Sequence, residues 1–454
     1  MWHMTRYLLT SGLLLAGTAL AQETGTIERD GLGFVERIDK TVPTAPGSTL
    51  YLTTHKGSVE VQSWDKDEVR VEVVKRADAF TESGARELLA DAQVFIETAE
   101  KGVEVRVESK EDLDDLELEF HVSVPSVYNL DLNTSGGSIE IGDLEGQVLA
   151  HTAGGSIAVG QIKNGKVDVE TAGGSIAVAS VEGGDSRTHT AGGSITIGSV
   201  SGTVEAETAG GSIGITRAGG TIRAETSGGS IDVGEGSQGV HVETSGGSIK
   251  IGKAGGLVEA ETAGGSITIG PTSGQVNAET AGGSITIGPA EGNVRVETAG
   301  GSIRISESKG TVDAETAGGG ITVDGSGGPV RVSTSGGGIQ IAKARGFIEA
   351  ETAGGGIDAE LALSDMAADG HCTLKTAGGN LTLYLPEALP ATIDARLHIE
   401  RKVGRDYRIY SDFPITTQGE GTKLITGKGA VNGGGNAIYL ETTNGDIYIK
   451  KGAQ

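Results

Sequence analysis

Two kinds of alternation recur along the chain. In Val204-Glu205-Ala206-Glu207-Thr208 apolar and charged positions alternate, and in Ser212-Ile213-Gly214-Ile215 isoleucines alternate with small residues. Period-two alternation of β-branched residues predicts half-buried strands, and the repeat has no helical period. Val204, Ala206 and Thr208 share one parity, whereas Ile213 and Ile215 share the other. A single unbroken strand would send one of these sets into water. The alternation must therefore break between Thr208 and Ile213, where Gly210-Gly211 stands. Glycine tolerates positive φ and close backbone approach, so it suits a corner. A second parity change falls between Ile215 and Ile222, beside Gly219-Gly220. Two faces and two glycine corners predict one coil of a β-solenoid.

The coil repeats. A Thr-Ala/Ser-Gly-Gly element begins at Thr134, Thr152, Thr171, Thr190, Thr208, Thr226 and Thr244. It continues at Thr262, Thr280, Thr298, Thr316, Thr334, Thr352 and Thr376. Ten of the intervals are 18 residues, two are 19 and one is 24. A short fixed period over this length signals a solenoid. The expected fold is all-β: a parallel β-solenoid (β-helix) of about 18-residue coils spanning 133–385. Ile139, Ile157, Ile176, Ile195 and Ile213 should then stack as a ladder at ~4.8 Å. Open solenoid ends expose unpaired strand edges and need covering. Residues 22–132, with the alternating Leu116 to Val122 and a short helix near Ser83 to Ala92, are the expected N-terminal strand-rich cap. Residues 386–454, which are less repetitive, are the expected C-terminal cap.

Composition matters mainly through this period. With 77 glycines among 454 residues and few aromatics, an aperiodic chain would read as flexible and low in complexity. The period turns the same composition into a repeat protein. Ahead of it, Met1 to Arg6 is basic, Tyr7 to Leu20 is apolar, and Ala19-Leu20-Ala21 is a small-residue cleavage pattern. Residues 1–21 read as a signal peptide, with an apolar run short of the ~18 residues that span a bilayer. No later segment is apolar enough to cross a membrane. The expected location is therefore outside the cytoplasm, either periplasmic or extracellular at the cell surface. Lys plus Arg total 36 against 61 for Asp plus Glu, a net charge of −25. That balance argues against nucleic acid and anionic lipid as partners and admits cationic partners or divalent cations. Cys372 is the sole cysteine, so no internal disulfide forms.

Three stretches carry a resemblance. "LYLTTHKGSVEVQSWDKDEVRVEVVKRAD" (Leu50 to Asp78), "VPSVYNLDLNTSGGSIEI" (Val124 to Ile141) and "IYLETTNGDIYIKK" (Ile438 to Lys451) are similar to a bacterial family of exported β-strand-repeat proteins. That family carries the label "putative adhesin" and is formally of unknown function. The resemblance implies an exported β-helix protein of the cell envelope and brings no catalytic residues. The long run of near-identical coils departs from it and suggests duplication within one lineage.

Catalysis needs unlike residues converging at one place, and each coil here repeats its neighbour. His151 and His189 stand just before the repeat threonine, where other coils carry Glu, and are expected to face solvent. Cys372 falls where other coils place the inward valine, as a small core residue. Calcium-binding nonapeptide turns require an aspartate that Thr-Ala-Gly-Gly-Ser-Ile lacks. No catalytic, cofactor or metal residues are therefore assigned. The one informative column is Glu207, Glu225, Glu243, Glu261, Glu279, Glu297 and Glu315, seven glutamates in consecutive coils. It reads either as a solvated face or as an acidic binding stripe for cations or a cationic partner. The leading expectation is a non-enzymatic exported structural or binding module, adhesive or otherwise, engaging an envelope or surface protein or glycan. A carbohydrate-active β-helix enzyme (lyase or hydrolase) and an envelope-stress scaffold are the alternatives.

Overall fold

The computed structural model describes residues 22–31, 33–109, 115–400 and 406–452; the expected signal peptide, 1–21, lies outside them. Each repeat gives one strand to each of two long parallel sheets. One sheet contains Val204–Thr208, Ile222–Thr226 and Val240–Thr244 and is called here the threonine sheet. The other, the isoleucine sheet, contains Ile213–Ala218, Ile231–Gly236 and Ile249–Ala254. Pairing is parallel and in register, Thr208 with Thr226 and Ile213 with Ile231. The ladder from Ile139 through Ile157, Ile176 and Ile195 to Ile213 forms as expected. The chain is a β-solenoid.

In the two 19-residue intervals the added residue is absorbed at one corner. There Asn164 (φ 48°) and Gly183 (φ 82°) take the left-handed conformation, which Asn and Gly adopt most readily. The register of Thr152, Thr171 and Thr190 is thereby preserved.

Six side chains per coil point inward rather than the five that alternation marks. Val204, Ala206, Thr208, Ile213 and Ile215 are buried, and so is Ala218. Ala218 belongs to a third inward column that begins with Leu144, Ile162, Val181 and Val200. It continues through Ala254, Thr272, Ala290, Ser308, Ser326 and Ala344. The second parity change therefore falls before Ala218, and Gly219-Gly220 turns the chain beyond it.

Of the two glycine properties that suit a corner, the Thr-Ala-Gly-Gly corner uses close backbone approach. None of the glycine pairs in the repeated Thr-Ala/Ser-Gly-Gly element, from Gly136-Gly137 to Gly378-Gly379, takes a left-handed φ. A Cβ on Gly211 would instead lie 2.1 Å from the Gly193 carbonyl oxygen of the preceding coil. Close stacking, not positive φ, demands the glycine.

Both ends break chain order. Thr49–Thr54 and Ser58–Trp64 form a coil lodged between two later ones. Gly102–Ser109 and Leu116–Pro125 lie on its outer side, and Asn129–Thr134 and Ile139–Ile141 on its inner side. At the other end Asn436–Thr443 and Ile447–Lys451 slot between Cys372–Thr376/Leu381–Leu385 and Ala391–His398/Ile409–Ser411. Antiparallel strands then cover the outermost coils: Ala92–Ala99 and Glu68–Ala77 at one end, Leu424–Val431 at the other. This is the edge protection that a solenoid requires. The helix Glu82–Asp91, capped by Thr81, buries Ala85 and Leu89 against the first cap.

Candidate functional site

Inward residues of the threonine sheet alternate with outward ones, so every coil presents two side chains on a broad outer face. Register sets Glu207, Glu225, Glu243, Glu261, Glu279, Glu297 and Glu315 directly beside one another. Successive parallel strands lie ~4.8 Å apart, so the row is a continuous line of carboxylates. Glu225 is half-buried and the other six are exposed. Beside them runs a mixed row: Glu205, Arg223, His241, Glu259, Asn277, Arg295 and Asp313.

The ion pairs divide the stripe. Toward its start His189 Nδ1 lies 3.5 Å from Glu207 and Arg187 lies 3.7 Å from Glu205. Arg223 pairs with Glu225, and His241 Nδ1 lies 3.2 Å from Glu259. Among the described residues, Glu243, Glu261, Glu279, Glu297 and Glu315 make no ion pair and no hydrogen bond through their carboxylates. Two shallow depressions follow the face. One, of about 280 Å³, is lined by Glu259, Glu261, Asn277, Glu279, Arg295 and Glu297. The other, of about 320 Å³, includes Asp313, Glu315, Arg331, Ser333, Glu349 and Glu351 in its lining. Ser333 stands where the row would carry another glutamate, and its short side chain opens this second hollow.

His151 and His189 lie on the same face, their side chains about two-fifths exposed, and His151 is 3.0 Å from Glu170. Cys372 is buried between Ile348 and Ile438 in the ladder. Burial pushes its thiol up to about 12, so it is a core residue with little thiolate at neutral pH.

Alternation could not reveal which residues meet across coils. Phe347 is stacked on His371 with ring centroids 4.3 Å apart, and Arg331 lies 4.6 Å from the Phe347 ring. Near the C-terminal end Tyr410 and Tyr448 stack at 5.0 Å. The Phe347–His371 pair carries a sequence signal, since its separation matches the 24-residue interval from Thr352 to Thr376. Tyr410 and Tyr448 meet only because the final coil is inserted out of order.

A "putative adhesin" from Bacteroides fragilis is 14% identical, covering 62% of this chain and 97% of its own, with a TM-score of 0.26. A "putative cell adhesion protein" from Clostridium sporogenes is 9% identical over 92% of this chain and all of its own, with a TM-score of 0.17. A "putative adhesin" from Parabacteroides merdae is 14% identical over 61% of this chain and 95% of its own, with a TM-score of 0.25. No curated protein matches the chain. No helix among the described residues is long and apolar enough to cross a membrane. The Toastrack DUF4097 family profile matches residues 48–288, starting at the out-of-order coil and running over half the chain into the repeats. The chain belongs to that family.

Proposed function

We propose that the protein is an exported, non-enzymatic binding module of the cell envelope that meets its partner through the outer face of the threonine sheet. The observation that carries this reading is the run of five carboxylates without ion pairs among the described residues, from Glu243 through Glu261, Glu279 and Glu297 to Glu315. Like charges held ~4.8 Å apart by a backbone ladder repel one another, by ~0.9 kcal/mol per pair even in water. A partner carrying a row of cations relieves that repulsion along the whole stripe. Each exposed ion pair contributes only ~0.2–1 kcal/mol, so affinity arises from many equivalent contacts made together. A repetitive face suits that arrangement, and adhesion to a cationic surface polymer or protein is the envelope role it fits.

Cell fractionation, followed by binding of the purified chain to envelope and glycan fractions, tests the reading. Recovery outside the cytoplasm, with binding lost when Glu261, Glu279 and Glu297 are replaced by Gln, is the expected result. A cytoplasmic protein, or binding indifferent to those replacements, would contradict it.

A further inference from the structure

We propose that the C-terminal end of the isoleucine sheet carries a binding site for a neutral oligosaccharide on its outer face. The sequence changes there in one column. Every repeat element from Thr134 to Thr298 is followed by serine, from Ser138 to Ser302, but the last four are followed by Gly320, Gly338, Gly356 and Asn380. In the serine coils each serine amide donates to the serine hydroxyl of the preceding coil, from Ser156 to Ser302, and Gly320 donates to Ser302. That ladder then lapses. The amides of Gly338, Gly356 and Asn380 have no hydroxyl in the coil before them and, among the described residues, make no hydrogen bond. It resumes where the Asp446 amide donates to Asn380 Oδ1 at 2.9 Å. With the serine side chains gone, a hollow of about 410 Å³ opens over Gly338, Gly356 and Asn380.

Beside these amides the register lines up one outward column: Gln340, Asp358, Thr382, Tyr448 and Tyr410. Its first three members line the hollow. Its last two are the stacked tyrosines, and Tyr410 is 46% exposed. Hydrogen-bonding groups thus lead directly onto an aromatic platform, each step along the column being ~4.8 Å.

The chemistry of this track selects the ligand. Backbone amides donate, the Asp358 carboxylate accepts, and Gln340, Asn380 and Thr382 do both. Sugar hydroxyls also donate and accept, so they can satisfy all of these groups together. The C–H face of a sugar ring is apolar with slightly positive hydrogens, which suits the negative π face of tyrosine. Among the described residues no lysine or arginine lines the hollow, so nothing there recruits an anion. Nucleic acid stacks on tyrosine as well, but its phosphates would meet Asp358 and a net charge of −25. The column crosses successive coils, so an extended glycan would lie along the rod. The site shares no residue with the glutamate stripe and does not rest on it.

Isothermal titration of cellohexaose, maltohexaose and chitohexaose into the purified chain tests the proposal. At least one should bind, with the same affinity at low and high sodium chloride because no charge is neutralised. Tyr410→Ala should weaken that binding at least tenfold. Gly338→Ser restores the residue that the earlier coils carry and fills the hollow. A Cβ at Gly338 would stand 3.3 Å from the Gly356 carbonyl oxygen, so the fold accepts it with a small shift. This variant should also lose at least tenfold in affinity while keeping the parent's melting temperature, which separates loss of the site from loss of the fold. Replacing Glu261, Glu279 and Glu297 with Gln should leave sugar binding unchanged, which separates this site from the stripe. Failure of all three sugars to bind, or unchanged affinity in either Tyr410→Ala or Gly338→Ser, would overturn the proposal. So would loss of binding in the glutamate variant.

Discussion

Thr262 Oγ1 donates to the carbonyl oxygen of Gly247, one coil away, at 2.8 Å. Thr262 Oγ1 in turn accepts from the amide of Gly265 in its own coil at 3.3 Å. The arrangement repeats from Thr152 with Gly137 and Gly155 to Thr352 with Gly337 and Gly355. Outside it runs a second ladder, in which the Ser266 amide donates to Ser248 Oγ at 3.2 Å. Threonine ties each corner to its neighbour, the second glycine lets the backbones approach, and serine bonds the outer edge.

Substitutions at this corner should rank by position. A Cβ on Gly265 would meet the Gly247 oxygen at 2.0 Å, whereas on Gly264 it would sit 3.2 Å from the Gly246 oxygen. Gly265→Ala is expected to destabilise by about 3 kcal/mol and Gly264→Ala by less than ~1 kcal/mol. Thr262→Val leaves a partly buried amide and carbonyl without their hydroxyl and should cost about 1–3 kcal/mol. Urea unfolding of the three variants checks the order, and equal losses at the two glycines would contradict the stacking account.

The opposite sign is expected at Ser186. It occupies the inward position held by Val167 and Val204 in the flanking coils. It is 1% exposed, and its hydroxyl has no hydrogen-bond partner among the described residues. Ser186→Val should stabilise by about 1 kcal/mol by replacing an unsatisfied hydroxyl with apolar volume. Thermal melting reads the sign directly.

These contrasts show what the sequence made legible. Parity in Val204 to Ile215 reveals the two faces, and the 18-residue spacing places the seven glutamates side by side. The third inward column escapes parity because residues such as Ala218, Thr272 and Ser308 are small or polar. They follow the last isoleucine by three residues rather than two. The out-of-order coils are equally hidden: Thr49–Thr54 and Asn436–Thr443 pair with strands that no period connects to them. On the stripe, charge was readable but pairing was not. Whether Glu225 meets Arg223 or stands unpaired like Glu261 depends on side-chain geometry across coils.

A buried ion pair anchors the N-terminal cap. Lys75 Nζ lies 2.6 Å from Glu36, and it also donates to the carbonyls of Leu89 and Ala92 at 3.0 Å each. Lys75→Met strands a buried carboxylate and two carbonyls, at an expected cost of about 3–5 kcal/mol. Adding Glu36→Met should recover much of the loss, and a double-mutant cycle in urea measures the coupling.

The C-terminal end should be sensitive to acid. A hydrogen bond from Tyr439, then His398, holds Glu441 below its ordinary value, and a hydrogen bond from Arg396 does the same for Asp394. Carboxylates depressed in the folded state contribute stability that is present above their unfolded values and lost as pH falls through the folded ones. The melting temperature should therefore decline below about pH 4. Glu441→Gln should make that decline shallower than in the parent.

The central claim, that the unpaired glutamates form the binding face, is tested most directly with a lysine-rich oligopeptide at 0.15 M sodium chloride. Its affinity should fall at least tenfold when Glu261, Glu279 and Glu297 become Gln. It should change little when Glu140, Glu182 and Glu420, exposed and outside the stripe, are replaced in the same way. Equal losses in the two triple variants would mean that net charge alone attracts the peptide, and would contradict the account.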